Sequence, residues 1–176
     1  MSKWIIDPDH SVGAFAIRHL MISYVHGQIN KVSGMINFDA ADITSLSVEL
    51  EMDVSGMMTG IVKRDDHLKS HEFFDVEKFP KIIFRSKSSE RTGFHSLKVS
   101  GDITVHGITR PMNIDIYISG PVKSPFGETC IGLTGKTKLN REDFGIIWNV
   151  PLEKGGLMVG KDVEISVNIE ADLKEE

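Results

Sequence analysis

The stretch TSLSVELEMDV, residues 44–54, alternates between apolar and polar side chains along most of its length. Successive side chains of a strand point to opposite faces, so this alternation predicts a β-strand with one buried face and one solvent-facing face. The side chains predicted to face the core are Leu46, Val48, Leu50 and Met52. A period of two residues therefore indicates a sheet rather than a helix as the building unit of the fold.

The same alternation recurs through most of the chain. It is present in KIIFRSKS from Lys81, SLKVSGDITVH from Ser96, MNIDIYIS from Met112 and DVEISVNIEADL from Asp162. Further candidate strands are SVGAFAIRH from Ser11, YVHGQINKVSGMINFD from Tyr24 and ETCIGLTGKTKL from Glu128. Turn signals in ERTGFH from Glu90 and in VHGITRP from Val105 join neighbouring runs, so we expect about eight antiparallel strands connected as hairpins.

The lengths of these runs favour a barrel. Several exceed the roughly five or six residues that are usual for a strand, and long strands with an inner apolar row enclose a deep interior. Closing the sheet also removes its exposed edges, and about eight strands form a lumen that is filled by side chains or holds one slim ligand. We predict an all-β barrel in a single domain, residues 1–176, with a two-sheet sandwich as the alternative architecture.

Two segments break the alternation. In GIVKRDDHLKSHEFF, from Gly60 to Phe74, a helical stripe is preceded by Thr59 as a candidate N-cap and carries two aspartates in its early turns, which predicts a short helix. The members of that stripe are Ile61, Arg64, Leu68 and His71. The stretch NREDFGI from Asn140 predicts one further turn, because capping residues are followed by Gly145.

Composition narrows the partners. The chain has 20 Lys and Arg against 25 Asp and Glu, a formal net charge of −5, which is the wrong sign for binding nucleic acid or an anionic bilayer surface. The one cysteine, Cys130, excludes an internal disulfide and a cysteine-based zinc cluster. Because MSKWIIDPDHS lacks a signal-peptide apolar run and no segment has the length of a membrane span, we expect a cytoplasmic protein without an integral membrane segment.

Four spaced motifs carry a resemblance to a known family: WIIDPDHSVGAFAIRHLMISYVHG from Trp4, KRDDHLKSHEFFDVEKFPKIIF from Lys63, GDITVHGITRPM from Gly101 and LNREDFGI from Leu139. In this order, and followed by a last strand, they resemble the YceI-like family. The resemblance implies an extended eight-stranded antiparallel β-barrel of lipocalin type with a short helix covering the opening. It also implies non-catalytic binding of a polyisoprenoid or similar long-chain lipid in the lumen.

Several further expectations follow from this resemblance. The lipid would be bound for transport, storage or sequestration, with isoprenoid quinone metabolism as one setting, and the bound molecule would be a polyisoprenoid, an isoprenoid quinone or a fatty ligand rather than a cofactor. A homodimer is consistent with the family. Tail burial at ~0.8 kcal/mol per CH2 would dominate binding, and polar groups near an opening would only select.

The predicted ligand-binding residues are inner-row apolar side chains, the aromatic run that follows the helix, flexible methionines, and polar groups near the opening. They are Phe15, Ile17, His19, Phe38, Leu50, Met52, Met57, Arg64, His67, Leu68, His71, Phe73, Phe74, Phe79, Phe84, Ile103, Val105, Ile114 and Ile116. No catalytic or metal-binding residue is predicted among them.

The alternative function is a metal-dependent enzyme that uses histidines at the rim. His67 and His71 are four residues apart and would share a helical face, but no Glu directly follows His67 as the metalloprotease pattern requires. His10 and Ser11 are sequence neighbours, so strand alternation would point them apart and disfavours a catalytic triad. Arg64 is either an anion clamp or a partner that ties the helix to the barrel.

Overall fold

The computed structural model describes residues 1–174, which form eleven strands, one α-helix and three short 3-10 turns. In chain order the strands are β1 (Ser2–Ile6), β2 (Val12–His19), β3 (Ser23–Ile29), β4 (Val32–Asp39), β5 (Asp42–Asp53), β6 (Met57–Met58), β7 (Lys81–Arg91), β8 (Ser96–Val105), β9 (Ile108–Lys123), β10 (Thr129–Asn140) and β11 (Val159–Leu173). The helix α1 covers Val62–Lys69, and the turns cover Pro8–His10, Val54–Gly56 and Arg141–Phe144. The turn at Arg141–Phe144 confirms the one predicted in NREDFGI.

The sheet closes into a ring because its first strand pairs with its last. Around the ring the order is β1, β4, β5, β7, β8, β9, β10 and β11, and every neighbouring pair is antiparallel. The closing register joins Trp4 to Leu173, Ile5 to Asp172 and Ile6 to Ala171. This eight-stranded antiparallel ring confirms the predicted barrel and excludes the sandwich.

The remaining three strands extend positions of the ring. β2 comes after β1 in the chain and pairs with β11. β3 comes before β4 and pairs with β2, and β6 comes after β5 and pairs with β3. The break between β1 and β2 is the Pro8–His10 turn, where the Asp7 side chain accepts a hydrogen bond from the backbone N–H of Asp9 (2.8 Å). The prediction of one long strand from Tyr24 is wrong. The chain forms two strands there, because β3 pairs with β2 and β4 pairs with β1, and β1 and β2 are separated by this turn.

The predicted hairpin at VHGITRP is confirmed. β8 and β9 are joined by His106 and Gly107, whose φ angles are +51° and +73°. Both values lie in the left-handed region that a tight two-residue hairpin turn requires, and glycine adopts it without strain. The connection between β7 and β8 confirms the second hairpin, predicted at ERTGFH.

One end of the barrel is a filled hydrophobic core. It is the end that holds the β7–β8 and β9–β10 connections, and its side chains have almost no exposed surface. Leu97 and Val99 of β8 are fully buried there. Their neighbours in this core include Trp4, Phe38, Leu46, Ile118 and Ile131.

The helix is shorter than predicted and begins without the predicted cap. α1 starts after Ile61, which makes no side-chain capping bond, and ends before Ser70, whose backbone N–H and hydroxyl both bond to the carbonyl of His67. The chain then forms turns from His71 onward. Thr59 is not the N-cap because its hydroxyl instead donates to the Asp65 carboxylate (2.6 Å).

A substitution at the filled end tests its packing. We expect Leu97→Ala to lower the free energy of unfolding by about 2–5 kcal/mol, because the truncation removes buried apolar contacts and leaves a cavity that the surrounding strands do not fill. The matched control is Lys98→Ala, the next residue on the outer face of the same strand, with an effect of less than about 0.5 kcal/mol. Chemical denaturation measures both, and equal effects of the two substitutions would contradict the assignment of a solid core here.

Candidate functional site

The other end of the barrel is hollow. A cavity of about 520 Å³ extends from α1 and the 145–159 segment into the middle of the barrel. Its floor is formed by inner-row side chains such as Ile36, Val48 and Ile116, and the filled core lies beyond them. Almost all of its wall is apolar, and its volume lies within the roughly 300–1,000 Å³ that small-molecule sites occupy.

Most of the predicted ligand-binding residues are brought together in this cavity. The ones that line it are Phe15, Ile17, His19, Leu50, Met52, Met57, Arg64, His67, Leu68, Phe73, Phe74, Phe84, Ile103, Val105, Ile114 and Ile116. They come from β2, β5 to β9 and the α1 region. Period-two alternation places the strand members on the inner face, and the turns after α1 fold Phe73 and Phe74 over the opening.

Three predicted residues do not line the cavity. Phe38 lies in the filled end, because the register of β4 places it opposite Ser2 at the start of β1. His71 is exposed, because α1 ends before it and the chain turns outward. The ring of Phe79 packs on that of His106 (4.7 Å between centroids) outside the cavity wall.

Two groups are prominent among the cavity residues that the sequence prediction missed, which also include Ile36, Val48 and Ile82. The first is the inner row of β10 and β11, including Leu133, Leu139, Ile165, Val167 and Ile169, which the same alternation could have identified. The second comes from the connection between β10 and β11, residues 141–158, where no period points to an inward face. Its members include Arg141, Phe144, Ile146, Trp148 and Met158.

A small hydrogen-bond network anchors the start of α1. The Asp65 carboxylate accepts from the backbone N–H and the hydroxyl of Thr59 (2.8 and 2.6 Å), and the Arg64 guanidinium donates to the hydroxyl and carbonyl oxygens of Thr59 (2.7 and 2.9 Å). Arg64 therefore ties α1 to Thr59, the residue directly after β6, which is a local form of the helix-to-barrel tie considered for it.

The end of α1 is held by an aromatic cluster. The imidazole of His67 lies edge-on to Phe73 (4.9 Å) and to Trp148 (4.8 Å), and Phe73 also contacts Trp148 (5.2 Å). The Nε2 atom of His67 pairs with the Glu72 carboxylate at 2.6 Å. These contacts fasten the helix to the 145–159 segment across the opening, with rings that also form cavity wall.

Arg141 is the one buried charged side chain among the described residues. Its guanidinium donates to three backbone carbonyls, those of Gly160 (2.8 Å), Ile146 (2.7 Å) and Val159 (3.5 Å). No carboxylate lies within ion-pair distance among residues 1–174. Burial lowers the pKa of Arg141, and the nearby charge of Glu142 opposes this effect.

The predicted rim histidines are not part of a preformed metal cluster within residues 1–174. The sets of three potential ligands found there are Asp7 with His10 and Glu170, and Cys130 with Glu170 and Asp172. Both sets lie away from the cavity wall. In the second set, a hydrogen bond to Asp172, together with burial, raises the pKa of the Cys130 thiol to about 11, which disfavours the thiolate that metal binding needs.

The cavity wall continues into exposed apolar surface. Leu20, Met21 and Ile22 form the exposed turn after His19, and Ile61 begins the α1 segment with 54% of its surface exposed. The turn is held to the neighbouring segment by a bond from the Leu20 N–H to the Met158 carbonyl (2.8 Å). Within residues 1–174, no helix is both long enough and apolar enough to cross a membrane.

Comparison with known proteins identifies the family. The model of the YceI-like domain matches residues 4–171. The chain belongs to the YceI-like family. The UPF0312 protein SA2479 of Staphylococcus aureus (strain N315) is 35% identical over 176 residues, which cover 99% of this chain and 100% of that protein.

Two solved structures share the fold of this YceI-like protein. Burkholderia cenocepacia BcnA superimposes with a TM-score of 0.80 at 18% identity and covers 94% of this chain and 98% of its own. A polyisoprenoid binding domain from Saccharophagus degradans, implicated in plant cell wall breakdown, gives 0.74 at 11% identity, with 99% and 100% covered. At these identities the likeness supports the fold alone. The cytoplasmic location and the homodimer stay predictions.

Matched Val→Phe substitutions distinguish the hollow end from the filled end. We expect Val167→Phe, in the cavity wall beside Gly135, to cost less than about 1 kcal/mol, because the added ring enters empty space. Val99→Phe in the filled core should cost about 1–3 kcal/mol through overpacking. Denaturant unfolding gives both values, and equal destabilisation at the two sites would contradict the presence of a cavity.

Proposed function

We propose that this YceI-like protein binds a polyisoprenoid or similar long-chain lipid in its cavity, without catalysis, for transport, storage or sequestration. The observation that carries the proposal is the apolar cavity of about 520 Å³, which replaces the core in one half of a closed barrel. The Saccharophagus degradans domain, described as polyisoprenoid binding, has the same fold. Isoprenoid quinone metabolism is one process that such binding would serve.

The driving force for this binding is burial of the hydrocarbon tail. Each CH2 group transferred from water into the cavity contributes ~0.8 kcal/mol, whereas one hydrogen bond to a head group contributes about 1 kcal/mol net. A chain of even moderate length therefore gains more from its tail than from any polar contact, before the costs of association and ordering. The protein should tolerate different tails of similar length and width.

The free energy of loading depends on whether the lipid comes from water or from a membrane. A tail that leaves a membrane exchanges one hydrocarbon environment for another, so the free energy of extraction is close to zero and the transfer is reversible. This suits a carrier that both loads and releases its lipid. We place the gate at α1 because the helix covers the opening and is held by a few identifiable contacts, those of Thr59 at its start and of Trp148 at its end.

A series of straight-chain alcohols tests binding in the cavity. We expect affinity to rise about three- to fourfold for each added CH2, because each further group leaves water, and then to reach a plateau once the cavity is full. Val167→Phe should bring the plateau to a shorter chain, while Lys98→Ala on the outer surface leaves it unchanged. Displacement of a fluorescent lipid probe measures these affinities.

Analysis of the purified protein supplies an independent readout. Mass spectrometry of its organic extract should find a long-chain lipid, and the Val167→Phe protein should carry less of it or a shorter one. Repeated lipid-free preparations that also fail to bind the alcohol series would reject the proposal. A stoichiometric metal whose loss follows His67→Ala or His71→Ala would favour the enzyme alternative instead.

The anchor of α1 provides a test of the gate. We expect Thr59→Val to remove the hydroxyl bonds to Asp65 and Arg64, to speed amide hydrogen exchange across Val62–Lys69, and to speed lipid uptake and release by a similar factor. Thr134→Val, on the outer face of β10, is the control. Faster exchange of α1 with unchanged lipid kinetics would show that the helix is not the gate.

A further inference from the structure

Charge is distributed unevenly between the cavity and the rest of the molecule. The chain has more acidic than basic residues, with a net charge of −5, yet within residues 1–174 no Asp or Glu lines the cavity. All four charged side chains in its wall are basic: Arg18, Lys63, Arg64 and Arg141. A site built for a neutral lipid has no need of such a one-sided set of charges.

These four cations differ in how far they are committed to other contacts. Arg18 is exposed and lies over the Tyr24 ring (4.7 Å), and Lys63 is exposed at the surface of α1. Arg64 is bound to Thr59 on two sides. Arg141 is the buried one, with 4% of its surface exposed, and it forms part of the cavity wall.

The partners of Arg141 leave its charge unneutralised. A guanidinium carries five N–H donors, and three bonds to backbone carbonyls, one of them at 3.5 Å, account for only part of this capacity. Carbonyl dipoles offset the loss of water only partly, so a buried cation of this kind gains strongly from an anion that can reach it. Its planar fork matches the two oxygens of a carboxylate or a phosphate.

We propose that Arg141 is the head-group site of the cavity and selects long-chain lipids that end in an anionic oxygen group, a carboxylate or a phosphate monoester. This inference rests on the proposed function, because it names the class of lipid that the cavity takes. The head lies beside Arg141, near Ile146 and the aromatic cluster of Trp148, and the tail extends toward the floor at Ile36 and Ile116. Arg64, which also lines the cavity, is a candidate for a second cation if its bonds to Thr59 open.

The test compares probes of one chain length that differ only at the head: hexadecanoate, hexadecyl phosphate, hexadecanol and methyl hexadecanoate. Wild-type protein at neutral pH should bind at least one of the two anions about tenfold or more tightly than the alcohol or the ester, as a charge-assisted bond in a dry site provides. The anion that binds more tightly shows whether the site prefers a carboxylate or a phosphate head group, and a preference for either one supports the proposal.

Variants assign the selectivity to one residue. Arg141→Gln should bring the ratio of anion to alcohol affinity to within about twofold of one, and Arg141→Lys should retain part of it, because lysine keeps the charge without the fork. The control Arg85→Gln, an exposed arginine on β7, should keep the full ratio. Circular dichroism and thermal unfolding establish that each variant is folded.

A spectroscopic readout serves if Arg141→Gln does not fold. The carbon-13 signal of carboxyl-labelled hexadecanoate bound to wild-type protein should stay that of the ionised form to a lower pH than a carboxyl group in an apolar site without a cation. Equal affinities of wild-type protein for anion, alcohol and ester would overturn the inference while leaving the proposed function intact. Absence of binding by every probe would overturn both, and so separates the two failures.

Discussion

The pairing of β1 with β11 is the interaction on which the rest of the structure depends. Without it the strands would form an open sheet with two free edges, and the apolar row on one face would be exposed to water. The three closing residue pairs, from Trp4–Leu173 to Ile6–Ala171, enclose that apolar row in the interior of the barrel. Because the ring is closed, alternate side chains of every strand point either to solvent or to the lumen.

The two ends of this lumen differ in how completely their inner side chains fill it. Trp4 and Phe38 pack among buried side chains at the filled end, whereas about 520 Å³ stays open between the wall side chains at the other end. A bound tail would therefore supply the contacts that core residues supply at the other end, so ligand binding and stability are expected to be coupled.

This arrangement also explains how one fold persists among dissimilar sequences. The Saccharophagus degradans domain keeps the ring at 11% identity, because an inner row needs only apolar side chains of suitable total volume. Specificity then comes from the few polar groups placed against the cavity. In this protein those charged groups are basic, and the most buried one, Arg141, donates to the carbonyl of Ile146 in the irregular segment and to those of Val159 and Gly160 at the start of β11.

The sequence alone determined the period, and with it the all-β class, the antiparallel hairpins and most inward-facing residues. It also carried the family motifs. It did not determine which end of the barrel an inward residue occupies: Phe38 and Leu50 follow the same alternation, yet only Leu50 lines the cavity, because position along the barrel is set by strand register.

Only the tertiary structure decided the composition of the opening. Arg141 and Trp148 lie in a segment without periodicity, and they reach the cavity through bonds to Ile146 and Gly160 and through ring contacts with His67. Such contacts join residues from distant elements and leave no local pattern. A repeating side-chain pattern reports which face is buried, whereas the site depends on how separate segments meet once the ring has closed.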